Sequence, residues 1–240
     1  MSKVALITVT HDPLGKSLHL FKKVKQELEE VYSELFITIS EESSLELIKE
    51  MKKSRFKVKV IPKKGAAHAR REVLQFGLSG ESQFFHYMDF DRLLTWSNNH
   101  LGELRDVVEE MPKHKYLIIG RTARAMKTHP TEWIETEKVT NKICSLELGK
   151  TVDITAGSCS FSRSNAELIH AYSKEKMTDA EWAMSAYRVG KCDISYMAVD
   201  GLEYHEEING VTRDLTETEK WLGRLRLSLI ISETAYSVGK

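Results

Sequence analysis

The chain is poor in most features that would classify it at once. Its three cysteines, Cys144, Cys159 and Cys192, lie far apart with no Cys-x-x-Cys pair. That spacing excludes a disulfide framework and a cysteine-ligated structural zinc, and it fits a reducing compartment. Four prolines and thirteen glycines in 240 residues are too few for a linker or low-complexity tract. No apolar run approaches the roughly 20 residues of a spanning helix. "MSKVALITV" enters a strand-like run without a signal-peptide core, so a soluble cytoplasmic protein is expected. Charge of one sign is not in excess: 35 Lys and Arg balance 35 Asp and Glu, so no global field draws the chain to nucleic acid. The one basic stretch, 52–71, lacks interleaved exposed aromatics, which sets an RNA-binding reading aside.

What is present is alternation. "VALITVT" (4–10), "ELFITIS" (34–40), "FKVKVIP" (56–62) and "QFFHYMDFD" (83–91) read as strands. Between them, Leu18, Phe21, Val24, Leu28 and Val31 repeat at three and four. A helix opened by the Ser43-x-x-Glu46 capping box and a third over 66–78 complete the half. The later chain continues with a helix at 96–110, a strand at 115–125, a helix at 131–147 and a strand at 152–162. Helices then open at Ser164, Thr178 and Thr216, with a last strand at 193–199. Such alternation predicts one α/β domain, a mostly parallel central sheet with helices on both faces. No repeat or linker divides it. By position the chain divides into residues 1–91, residues 92–205 and a C-terminal helical segment, 206–240.

Parallel α/β sheets bind ligands beyond the carboxyl ends of their strands. At the first such joint, "THDPLGKS" offers neither a dinucleotide fingerprint nor a P-loop, because Thr10 stands where the first P-loop glycine belongs. The missing cradle turns attention to Asp89-x-Asp91, two carboxylates at a strand end that repel unless a cation lies beside them. They are hard oxygen donors suited to Mg²⁺ or Mn²⁺ carrying a diphosphate; a solvated turn, or pairing with Arg92, is the plain alternative.

Six stretches in order resemble the GT-A class of nucleotide-sugar glycosyltransferases, family 2 in particular: "LITVTHD", "GAAHARREVLQFGL", "FFHYMDFD", "ITAGSCSFSRSNAELI", "TDAEWAMSAYRVGKCDISYM" and "LEYH". They run from residue 4 to about 205, and the resemblance implies that residues 1–91 form the nucleotide-sugar-binding half and 92–205 the acceptor-side half. The resemblance implies transfer of one sugar from a nucleotide-diphosphate sugar to an acceptor hydroxyl, with inversion and with Mn²⁺ or Mg²⁺. It places Thr10, His11 and Asp12 in a nucleobase-facing loop and Glu41 where the family offers an acid to the base. It puts Arg70 by the diphosphate, Asp89 near the ribose, Asp91 and His205 on the metal, and Asp179 as the general base. Departures are also clear. Arg71 replaces the family's Asn, Thr178 replaces a Glu, and the Q-x-x-R-W signature of processive synthases is absent. A non-catalytic nucleotide-binding protein on the same scaffold is the alternative.

"TDAE" also reads as a capping box, with Thr178 as N-cap, Asp179 at N1 and Glu181 as the reciprocal partner. Lys63 and Lys64 read as a solvated helix entrance. Trp96, Trp133, Trp182 and Trp221 could stack on a sugar, although helical positions favour packing. Trp221, Leu222, Leu225 and Leu229 mark one side of the terminal helix, for which core packing is the default, with a homodimer contact or peripheral membrane contact as the other roles.

Overall fold

The computed structural model describes residues 4–210 and 215–240. Seven strands form one sheet: β1 (Val4–Thr10), β2 (Glu34–Ser40), β3 (Lys57–Ile61), β4 (Phe84–Asp89), β5 (Tyr116–Arg121), β6 (Ser158–Ser162) and β7 (Ile194–Val199). Their order is β3-β2-β1-β4-β6-β5-β7, parallel throughout except β6, which runs against both neighbours. Alternate residues serve opposite layers: Val4 and Leu6 join one apolar cluster, Ala5 and Ile7 the other.

The first cluster takes the inner faces of α1 (Ser17–Val31), α2 (Leu45–Lys52), α4 (Phe90–Asn99) and α5 (Leu101–Glu110). Across the sheet, the second takes those of α3 (Ala66–Leu78), α7 (Thr131–Leu148), α8 (Arg163–Tyr172), α9 (Thr178–Met184) and α11 (Glu217–Ser237). The short helices α6 (Ala123–Met126) and α10 (Glu206–Asn209) close loops at the strand ends. From β1 the chain steps to β2 and β3 on one side, then returns to place β4 on the other. That reversal opens a crevice at the carboxyl ends of β1 and β4, where Thr10 and Asp89 stand.

The predicted alternation is present, and the differences are local. The helix expected over 96–110 is two, α4 and α5, broken at His100. The strand expected from 152 starts only at Ser158, after a 3-10 turn and Gly157, whose φ of +71° favours glycine. The Ser43–Glu46 capping box does not form: Ser43 Oγ instead accepts from the Asp12 amide at 3.0 Å. At Thr216 the capping box does form, with Glu219.

The terminal helix reverses its expected orientation. Leu222, Leu225 and Leu229 are 44%, 59% and 57% exposed, while Ser228, Ile231, Ser232, Thr234 and Ala235 face inward. Small inward residues let α11 lie close on α7, where Ser228 and Thr140 hydroxyls meet at 2.5 Å. Leucine on that side would hold the two backbones apart.

Candidate functional site

Two cavities meet at the sheet edge. The larger, about 700 Å³, runs from the end of β1 across Ser40 and Pro62 to the start of α3, with Lys16, Lys63 and Lys64 at its rim. A second of about 200 Å³ lies between α7, α11 and the 155–157 turn. Asp89, Asp91 and Asn209 line both.

The aspartate pair straddles a strand–helix junction rather than sharing a strand face as the sequence suggested. Asp89 closes β4, and Asp91 lies in the first turn of α4. Their surroundings differ. Asp89 accepts from Arg70 Nη2 at 3.1 Å and from the Tyr87 hydroxyl. Among the described residues Asp91 has no cation within ion-pair distance; its Oδ2 accepts from the Asn209 amide at 2.9 Å. Burial, reinforced by the Asp89 charge and opposed by Arg92, raises the Asp91 carboxyl above the usual carboxylate range.

Arg70 is the hub. It enters from α3, whose N-cap Gly65 has a φ of +94° that an L side chain rarely adopts. Buried to 7% exposure, it donates through Nη1 to Asp179 Oδ2 at 2.6 Å and Thr178 Oγ1 at 3.1 Å, and through Nη2 to Asp89. Burial alone would lower its pKa, but Asp179 and Asp89 together hold it well above the ordinary value. Asp179 Oδ1 has no hydrogen-bond partner among the described residues. Helix α9 starts at Thr178 itself with Met177 as cap, so Asp179 is its second residue, not its first. Glu181 caps nothing there. Its carboxylate accepts from Ser173 Oγ at 2.6 Å and the Glu175 amide at 2.8 Å, while Arg71 binds the same loop through Ser173 Oγ at 2.9 Å. The residue in place of the family's Asn therefore ties α3 to the loop before α9.

The smaller cavity is walled by ion pairs remote in sequence. Arg121 donates to Glu137 Oε2 at 2.6 Å and to Asp153 Oδ2 at 2.8 Å. Arg224 of α11 reaches the other oxygen of Glu137 and lies 3.8 Å over the Trp133 ring. Arg92, beside the touching rings of Trp133 and Tyr204, pairs with no carboxylate among the described residues. Its Nη1 makes only long bonds, 3.3 Å to His129 Nε2 and 3.4 Å to the Glu203 carbonyl. Burial lowers the pKa of both Arg92 and Arg224 despite acidic neighbours.

Of the residues singled out in the sequence, Thr10, His11, Asp12 and Asp89 line the larger cavity, and Arg70, Asp89, Asp91 and Asp179 line the smaller. Asp12 is already engaged: its carboxylate accepts from the Lys16 amide at 3.0 Å and the Ser17 amide at 2.8 Å. The start of α1 thus carries its own anion, as a phosphate cradle would not. Glu41 is exposed and lines neither cavity; Ser40 takes that wall. His205 is not brought to Asp91. Its ring contacts Asn99 Nδ2 at 2.9 Å and Glu203 Oε1 at 3.1 Å, and Asn209 of α10 occupies the place expected for it. Among the described residues no group of three His, Cys, Asp or Glu could hold a metal. Trp96 and Trp182 are core, whereas Trp133 faces the cavity. Sequence reasoning missed Asn209, Glu137 and Arg224 in the site, and gave Arg92 only as a partner for Asp91. None carries a local motif.

The residues present suit a divalent cation of the Mg²⁺ or Mn²⁺ kind. Asp91, at the junction of the cavities, forms no ion pair among the described residues, and such ions commonly take one or two carboxylates, with substrate phosphates and water completing the shell.

No protein-family model and no curated protein matches the chain. Solved structures do. Glucosyl-3-phosphoglycerate synthase from Mycobacterium tuberculosis in complex with uridine diphosphate aligns over 100% of this chain and 82% of its own, with a TM-score of 0.57 and 13% identity. The same enzyme with Mn²⁺, uridine diphosphate and phosphoglyceric acid aligns over 100% and 80%, with a TM-score of 0.59 and 12% identity. At such identities the likeness is one of fold, and with the sheet order it shows that this chain has a GT-A-like fold.

Proposed function

We propose that the protein is a glycosyltransferase that moves one sugar, with inversion, from a nucleotide-diphosphate sugar to an acceptor hydroxyl. The observation that carries this reading is the junction of two cavities at Asp89, Asp91 and Asn209. The larger cavity, with lysines at its rim and the residue 1–91 half as its main wall, takes the nucleotide diphosphate. The smaller, built from the 92–205 half and α11, takes the acceptor. The uridine diphosphate and Mn²⁺ complexes of the mycobacterial enzyme support a nucleotide donor and a divalent ion. Three free cysteines suit a cytoplasmic setting.

In this reading Asp91 holds the cation with the donor's phosphates, and Asp89 lies by the ribose. When bound, the cation offsets charge on the leaving diphosphate. Arg70 holds Asp179 and Asp89 in fixed relation, so the acceptor side and the donor side keep one geometry. Asp179, with Oδ1 free, takes the acceptor proton as the hydroxyl attacks the anomeric carbon. Arg92, a guanidinium with no carboxylate partner among the described residues, leaves room for an anionic group on the acceptor, as the phosphoglyceric acid of the mycobacterial complex carries.

Calorimetry of uridine diphosphate binding with and without Mn²⁺ tests the donor half. Asp91→Ala should abolish the Mn²⁺-dependent part, and unchanged binding removes the cation from this account. A second reading, a sugar-nucleotide-binding protein without turnover, is favoured by one observation: Arg70 already bonds both Asp89 and Asp179. Slow hydrolysis of the bound donor separates the two, since only the enzyme releases free sugar.

A further inference from the structure

We propose that the outer face of α11 pairs with the same face of a second copy of the chain, antiparallel about a two-fold axis at Leu229. The helix is inverted. Its small and hydroxylated residues are buried on α7, while Leu222, Leu225, Leu229 and Tyr236 point outward, Tyr236 at 63% exposure. Leu222, Leu225, Leu229 and Tyr236 follow spacings of three, four and seven, the seam of a helix pair rather than scattered surface leucines. The seam is about 21 Å long at 1.5 Å per residue.

Charge selects the occupant. Arg226 and Glu233 flank the seam, both exposed, and neither forms an ion pair or side-chain hydrogen bond among the described residues. In an antiparallel pairing centred on Leu229, Leu222 meets the partner copy's Tyr236, and each Arg226 falls within one residue of the other copy's Glu233. Two ion pairs then close the seam at both ends, as an isologous contact requires. A membrane surface fits less well. The exposed charges of α11 are Glu217, Glu219 and Glu233 against Lys220 and Arg226, and interfacial helices are instead rich in Lys and Arg. The pairing also bears on the acceptor cavity, because the inner side of the same helix supplies Arg224, Leu227, Ser228 and Ile231 to its wall.

Sedimentation equilibrium of the full chain, spanning roughly 1 to 100 µM, tests this. The chain should reach twice its monomer mass. Leu225→Glu with Leu229→Glu should leave a monomer with an undiminished unfolding midpoint, since both side chains face solvent in the single chain. Arg226→Glu alone and Glu233→Arg alone should each weaken association by about tenfold or more, and the two together should restore it. That reciprocal rescue holds even if the glutamate pair misfolds. A wild-type monomer at the highest concentration overturns the proposal, as does a dimer indifferent to these substitutions. Flotation of a monomeric chain with phosphatidylglycerol vesicles, lost in Leu225→Glu with Leu229→Glu, would give the face to a membrane instead.

Discussion

The two cavities that share the aspartates are built in opposite ways. The larger is made from strand ends and the residues just after them, with cations at the rim that are solvated or paired in the open, such as Lys63 on Glu42 at 2.8 Å. The smaller is made from residues far apart in the chain, locked by the Arg121–Glu137–Asp153–Arg224 network with Arg121 and Glu137 only 2% and 6% exposed. A cleft of the first kind adapts to a flexible ligand. A wall of the second kind fixes one shape, because each buried charge there depends on another staying in place.

The contrast can be broken at its hinge. Asp179→Asn should lower turnover by about 10²- to 10⁴-fold while leaving uridine diphosphate affinity unchanged, measured by donor consumption and calorimetry. Unimpaired turnover would remove Asp179 as the base. Next in size is Glu137→Ala, which strands Arg224 in the wall of the smaller cavity and leaves Arg121 to Asp153 alone. Urea unfolding should show a loss of about 3–5 kcal/mol. A loss under 1 kcal/mol would mean that the wall is far wetter than its burial implies.

A smaller effect comes from histidines held neutral in the fold. Burial lowers His86, between the Tyr32 hydroxyl at 2.7 Å and Ser158 Oγ at 3.0 Å, to about 3; burial, aided by Arg121 and Arg92, does the same to His129. Unfolded, both would protonate near pH 6.5. Below that value the unfolded chain binds more protons, so stability should fall with acidity by up to about 1.4 kcal/mol per pH unit for each histidine. His86→Gln should shallow that slope between pH 7 and 5. The smallest effect belongs to the open cleft: Lys63→Ala should leave the unfolding midpoint unchanged and weaken uridine diphosphate binding roughly a few-fold at low salt, less at high salt.

The strands and helices of the first ninety residues were legible because each carries its own periodicity and punctuation, and α3 over 66–78 was read to the residue. The aspartate pair was legible for the same reason, as an abrupt polar end to an apolar strand. Its partner was not. The sequence raised a charge problem at the pair and offered a metal as the answer, whereas the fold brings Arg70 and Tyr87 to Asp89 and, among the described residues, no cation into ion-pair distance of Asp91. His205 was placed by analogy of position in the chain, yet a one-turn helix turns Asn209 to the pair instead. The terminal helix misled most, since an apolar stripe reads as a buried face unless the other face is seen to pack closer.

By itself, then, the sequence determined the alternating α/β scaffold and the acidic strand tip, because periodicity, glycine placement and burial preference act over a few residues. Only the tertiary structure decided which charges neutralise which, that Arg70 joins Asp89 to Asp179, and that α11 turns Leu222, Leu225 and Leu229 outward. Those are contacts between residues some twenty to more than a hundred positions apart, whose energies depend on distance and burial that no local pattern encodes.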